Sequence, residues 1–142
     1  MKRIILDASV VLKWYLADEV NGQKALDLLN KYIGNDLEIL APSLLEYEVT
    51  NELLVAQKRG RVKEESILSA IEGFLDLDIK LVSFSHLYPA VMRYCKAYGR
   101  SIYDASYLAL AEIEGVPMIT ADQGLYNVIK RDLNWVKWLG DI

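Results

Sequence analysis

Apolar positions along this 142-residue chain follow two alternating patterns. Short continuous runs read as strands: Ile4 to Leu6, Leu37 to Ala41, Ile79 to Val82, Met118 to Thr120 and Trp135 to Leu139. Between them apolar residues recur at helical spacing. One helix follows Leu6 at once and runs through about Leu16. Others cover Gly22 to Ile33, Pro42-Ser43 to about Arg59 with Gly60 closing it, Lys63 to Leu75, Ser85 to Tyr98 and Ile102 to Glu114. A short helix starts near Asp122. Strands that are apolar throughout and separated by helices predict an α/β fold, a parallel sheet covered on both faces. Such sheets place their sites beyond the carboxyl ends of the strands. No repeat, low-complexity segment or linker interrupts the pattern, so one domain over residues 1–142 is expected.

Several carboxylates interrupt this pattern. Asp7 directly follows the first strand and Asp122 follows the strand ending at Thr120, so both belong at the carboxyl edge. Each has a plain alternative, since an Asp between strand and helix is a good N-cap. Asp104 lies near the start of an apolar helix, on the face of Tyr107, Leu108 and Ala111 at about 100° per residue. Ser101-x-x-Asp104 also matches a capping box. In the long helix the apolar stripe contains Leu45, Val49, Leu53 and Ala56. On a helical projection Glu48 and Glu52 fall within it, and Glu46 lies at its far margin. A half-exposed stripe, or a salt bridge to Lys or Arg, is the alternative for both.

Taken together, two acids at strand ends and two more on apolar helix faces describe a cluster. Gathered carboxylates raise one another's pKa and cost stability unless a cation compensates. Oxygen-only ligation points to magnesium or manganese. One use of such an ion is phosphodiester hydrolysis. Ser9 and Thr120, beside Asp7 and Asp122, are candidates for supporting hydroxyls, with ordinary capping and turn chemistry as the alternative.

Composition narrows the options. The hydrophobic fraction of 53% fits a globular core. No apolar run approaches the ~20 residues of a membrane span, and the start "MKRIILDASVV" meets Asp7 too soon for a secretory signal. Cys95 is the single cysteine and His86 the single histidine. This excludes an internal disulfide, a Cys/His zinc cluster and any mechanism needing two histidines, and it fits a reducing, cytoplasmic setting. A net charge of −4 argues against a passive nucleic-acid binder but leaves room for an acidic enzyme that uses metal ions.

At these residues the chain resembles the PIN-domain family, and closely the VapC-type ribonuclease toxins. The matching stretches are "ILDASVVLKWY", "APSLLEYEVTNEL", "SIYDASYLALAEIEGVPMITADQGL" and "WVKWL". The resemblance implies a five-stranded parallel sheet flanked by helices and magnesium- or manganese-dependent RNA cleavage. It places the family's acids on Asp7, Glu48, Asp104 and Asp122, with Glu46 a competitor for the second position. The family's hydroxyls fall on Ser9 and Thr120. Where many members carry another polar or acidic residue after the fourth acid, this chain has Gln123-Gly124. The resemblance also implies a homodimer and a small VapB-type antitoxin whose tail covers the acidic site.

Lys13, two turns or less from Asp7, and Arg100, just before the Asp104 helix, are candidates for contacting RNA phosphates. Lys58, Arg59, Arg61 and Lys63 cluster at the end of the long helix, where a solvated surface is the simpler reading. Two rival functions compete. A phosphoacceptor receiver domain needs an acidic pair after the first strand and an Asp after the third, and "KLVSFSH" supplies none. A non-catalytic PIN module serving as an RNA-processing scaffold would not need all four motif acids.

Overall fold

The computed structural model describes residues 2–142. Five parallel strands form one sheet in the order β3-β2-β1-β4-β5: β1 (Lys2–Leu6), β2 (Leu37–Pro42), β3 (Lys80–Val82), β4 (Met118–Thr120) and β5 (Val136–Trp138). Seven α-helices connect and cover them: α1 (Ala8–Val11), α2 (Gly22–Ile33), α3 (Leu45–Lys58), α4 (Glu64–Asp76), α5 (Tyr88–Tyr98), α6 (Ile102–Glu114) and α7 (Gln123–Ile129). Ile4, Ile5 and Leu6 of β1, with Ile39, Leu40 and Ala41 of β2, are all buried. Consecutive side chains of a strand point to opposite faces, so burial of every one means both faces are covered. That is why these strands are continuously apolar.

The order of strands locates the site. From β1 the chain steps to β2 on one side, and later to β4 on the other. This reversal leaves a crevice beyond the carboxyl ends of β1 and β4, the place where open α/β sheets bind their ligands. Each helix that follows or precedes these strands in antiparallel sense presents its N-terminal turn to that edge. Glu48 and Asp104 lie in the first turns of α3 and α6, and Asp122 is the N-cap of α7.

Three expected boundaries move. The first helix was expected to run through about Leu16. It is α-helical only over Ala8–Val11, tightens to a 3₁₀ turn over Leu12–Trp14 and then stops. The long helix starts at Leu45 because Pro42 completes β2, pairing with Val82. The helix expected from Ser85 begins as a separate 3₁₀ turn over Phe84–His86, and α5 proper starts at Tyr88 with Pro89 in its first turn.

Candidate active site

Leu6 of β1 lies opposite Ile119 of β4, so the next residues, Asp7 and Thr120, are brought side by side. Thr120 Oγ1 donates to Asp7 Oδ2 at 2.5 Å, and Ser9 Oγ donates to Asp7 Oδ1 at 2.5 Å. Each hydroxyl is itself oriented by a backbone donor: Ala121 N–H to Ser9 Oγ at 2.8 Å, and Asp122 N–H to Thr120 Oγ1 at 3.0 Å. A hydroxyl that accepts from an N–H has its proton free to point at the carboxylate. Both oxygens of Asp7 are therefore held as acceptors. Asp7 also occupies the N-cap position of α1, but its two carboxylate oxygens are taken by the hydroxyls rather than by a capping bond to the helix.

Asp7 is only 6% exposed. Burial raises its carboxyl to about 7, against the lowering effect of the Ser9 and Thr120 hydroxyls and with a further push from the charge of Asp122. Asp122 plays two parts. Its Oδ1 accepts from Leu125 N–H at 3.1 Å, a true N-cap, while Oδ2 faces Arg100.

Asp104 is half-buried at the start of α6. Ser101 Oγ caps the helix by accepting from Asp104 N–H at 3.2 Å. The reciprocal half of the capping box does not form. Asp104 Oδ2 instead accepts from Arg100 Nε at 3.0 Å, with Nη2 in ion-pair contact at 2.9 Å, and the same Nη2 lies 4.0 Å from Asp122 Oδ2.

Glu48 is half-buried and accepts from the Tyr107 hydroxyl at 2.6 Å through Oε1. Burial raises its pKa, countered by that bond and reinforced by the charges of Asp104 and Glu52. Tyr107 is 2% exposed, and burial and then the Glu48 charge hold its pKa well above the usual phenol value. Asp7 and Asp104 add to that shift. Tyr107 thus stands within electrostatic reach of three of the four acids and remains a hydrogen-bond donor at physiological pH. The apolar-face reading had placed Tyr107 beside Asp104 without giving its hydroxyl a role. A polar tip on an otherwise apolar helix face was the available signal.

The two other acids of α3 separate from the cluster. Glu52 is exposed, contrary to its projected place within the stripe, because only Leu45, Val49, Leu53 and Ala56 of α3 are buried and Glu52 falls on the solvent side of them. Glu46 is half-buried. Lys13 pairs with Glu19 at 3.2 Å; Arg61 binds the same carboxylate at 2.9 Å. These three groups and Arg59 border a cavity of about 280 Å³ that reaches the acids through Ser9 and Ala121 and is walled by Leu12, Leu16, Val55 and Ala56.

The donor chemistry fits a hard divalent cation: oxygen ligands only, several of them charged, partly desolvated and mutually repelling, at a sheet edge faced by helix N-termini. Among the described residues no three of these carboxylates already surround a single point. Tyr107 holds Glu48 and Arg100 holds Asp104, so side-chain rotation has to complete any such set.

Comparison with known proteins agrees with the fold and gives the family. Residues 4–130 match the family described as the PIN domain. Ribonuclease VapC3 of Pyrobaculum aerophilum is 26% identical over 125 residues, covering 87% of this chain and 92% of that protein. The crystal structure of PAE2754 from Pyrobaculum aerophilum superposes with a TM-score of 0.66 at 23% identity, over 99% of this chain and 92% of the other. The Mycobacterium tuberculosis toxin VapC20, described as cleaving the sarcin-ricin loop, gives 0.61 at 13% identity, over 83% and 87%.

Proposed function

The chain belongs to the PIN-domain family, and from that premise we propose that it is a divalent-metal-dependent endoribonuclease of the VapC type, the toxin of a toxin–antitoxin pair. The observation that supports this reading is that Asp7 and Asp122 stand at the ends of β1 and β4, Glu48 and Asp104 in the first turns of α3 and α6, and that Asp7 feels the charge of Asp122 and Glu48 that of Asp104. Its similarity to a protein named as a ribonuclease supports the choice of substrate.

In this reading the four carboxylates hold Mg²⁺ or Mn²⁺. When bound, the ion polarises a phosphate oxygen and acidifies water for attack on the phosphodiester. The chain's own groups prepare the site. Ser9 and Thr120 hold both Asp7 oxygens as acceptors and so fix the orientation of its carboxylate for a ligand. Tyr107 restrains Glu48 Oε1 and leaves Oε2 for ion or water. Asp122 is fixed through Oδ1 by the α7 N-terminus and keeps Oδ2 for the site. RNA phosphates meet the guanidinium of Arg100, and Lys13 becomes available to them if Glu19 lets go. The whole chain, residues 1–142, forms one PIN domain that works as a cytoplasmic homodimer restrained by a small VapB-type antitoxin.

The test is cleavage of end-labelled single-stranded RNA by purified protein with Mg²⁺, with Mn²⁺ and with chelator. Cleavage should require metal and disappear in Asp104→Asn. Metal-independent binding without cleavage would instead identify a scaffold module. Growth arrest on expression, relieved by the product of a short neighbouring gene, tests the toxin assignment.

A further inference from the structure

Arg100 occupies a constrained place. Gly99, Arg100 and Ser101 are the whole connection between α5 and α6. Gly99 closes α5 in the left-handed region at φ 62°, where a side chain is disfavoured, and Ser101 caps α6 through its hydroxyl. The two helices are packed against each other along their length, so the backbone of Arg100 has little freedom. Its guanidinium is thereby committed to the rim of the acid cluster.

What it does there is unusual for a surface ion pair. Nε donates to Asp104 Oδ2 at 3.0 Å, Nη2 lies 2.9 Å from the same oxygen as an ion-pair contact, and Nη2 reaches toward Asp122 Oδ2 at 4.0 Å. Arg100 and Asp104 are each about three-quarters buried as side chains. Among the described residues, Arg100 is the one basic side chain in an ion pair with any of the four clustered acids; Lys13 is taken up by Glu19. Clustered carboxylates need positive charge, and here one guanidinium supplies it to two of them. A divalent cation held by Asp104 and Asp122 draws on the charge that Arg100 already neutralises, and on the same oxygen wherever it uses Oδ2 of either residue. The two cations therefore compete, electrostatically and for those lone pairs.

We propose that Arg100 is a tethered counterion that competes with the divalent cation for Asp104 and, once displaced, takes hold of an RNA phosphate. The inference rests on the metal-dependent reading given above. A displaced guanidinium stays at the rim because its backbone is fixed, and its planar fork suits phosphate oxygens as well as it suits a carboxylate. Cation binding and RNA binding then become positively coupled, with Arg100 exchanging one anion for the other. The coupling is reciprocal: RNA tightens metal as much as metal tightens RNA.

The experiment is calorimetric titration of Mn²⁺ into the metal-free full chain at pH 7.5, for the parent, Arg100→Gln and, as a remote control, Arg93→Gln, whose pair with Glu112 is exposed. Melts in chelator check folding. Arg100→Gln is expected to bind Mn²⁺ about tenfold more tightly than the parent, while Arg93→Gln matches the parent. A second titration uses a non-cleavable 2′-O-methyl oligoribonucleotide with and without Mn²⁺. The parent should bind it more tightly with Mn²⁺, and Arg100→Gln should lose most of that gain. Equal or weaker Mn²⁺ binding by Arg100→Gln overturns the competition and leaves the proposed function intact. Unchanged coupling to the oligonucleotide overturns the exchange. A parent that binds no Mn²⁺ overturns both this inference and the metal-dependent reading.

Discussion

The Tyr107 hydroxyl donates to Glu48 Oε1 at 2.6 Å, tying the first turn of α3 to α6 across the carboxyl edge of the sheet. A buried phenol whose proton is held this firmly is a positioning group for the carboxylate. Tyr107→Phe removes a hydrogen bond to a charged acceptor, an interaction worth about 1.5–3 kcal/mol. The variant should fold, melt a few degrees lower at pH 8, and cleave RNA more slowly with little change in KM. Its pH–rate profile should shift upward, because Glu48 loses the bond that lowers its pKa. An unmoved profile would make Tyr107 a packing residue only.

The four acids make a second prediction. Asp7→Asn, Glu48→Gln, Asp104→Asn and Asp122→Asn should each reduce metal-dependent RNA cleavage by on the order of a hundredfold or more. Glu46→Gln and the exposed Glu52→Gln should cost much less. Asp122→Asn keeps an oxygen for the α7 cap, whereas Asp122→Ala should also lose about 1 kcal/mol of stability. Measuring kcat/KM alongside melting separates the two roles.

Asp7 predicts how stability depends on pH. Its carboxyl is raised to about 7 in the folded protein from an ordinary 3.8. The fold therefore favours the protonated acid. That stabilisation is complete below about pH 4, declines as pH rises and is lost once pH passes through 7. Asp7→Asn cannot ionise and avoids the decline, at the cost of an imperfect fit to two hydroxyl donors. In chelator at pH 8 it should melt higher than the parent by a few degrees, ~1 kcal/mol in a domain of this size. The gap should close toward pH 4. Saturating Mg²⁺ or Mn²⁺ should stabilise the parent more than the variant. A variant less stable at every pH would mean that Asp7 serves the fold alone.

Glu19 tests whether Lys13 meets RNA. Its carboxyl is raised by burial but more strongly lowered by hydrogen bonds from Arg61 and Lys13, and the net direction is down. Lys13 and Arg61 are thus both occupied by one carboxylate, which has to release them before either can meet a phosphate. Glu19→Gln should tighten binding of a non-cleavable oligonucleotide several-fold at low salt and steepen its salt dependence. Lys13→Ala should then flatten that slope again. No response to either substitution would confine the network to stabilising the loop between α1 and α2.

How far these features can be read without coordinates differs from one residue to the next. Continuous apolar strands alternating with 3.6-period helices dictate a parallel sheet covered on both faces, because only that arrangement buries every side chain of Ile4 to Leu6 and of Ile39 to Ala41. Chain order then sends Asp7 and Asp122 to strand ends and Asp104 to a first turn, all properties of local sequence, whereas Glu48 reaches the first turn of α3 only because Pro42 stays in β2. Partners are another matter. Periodicity says which face a residue occupies but not what stands opposite. The Ser101-x-x-Asp104 spacing fits a capping box, yet Arg100 claims the carboxylate because a charge-assisted pair outweighs a neutral backbone donor. Lys13 lies near Asp7 along the chain but is drawn to Glu19, six residues on, where Arg61 adds a third charge. The Tyr107–Glu48 bond joins residues 59 apart. Contacts of that kind are decided by how α3 and α6 pack on the sheet, and that packing is set by the core as a whole.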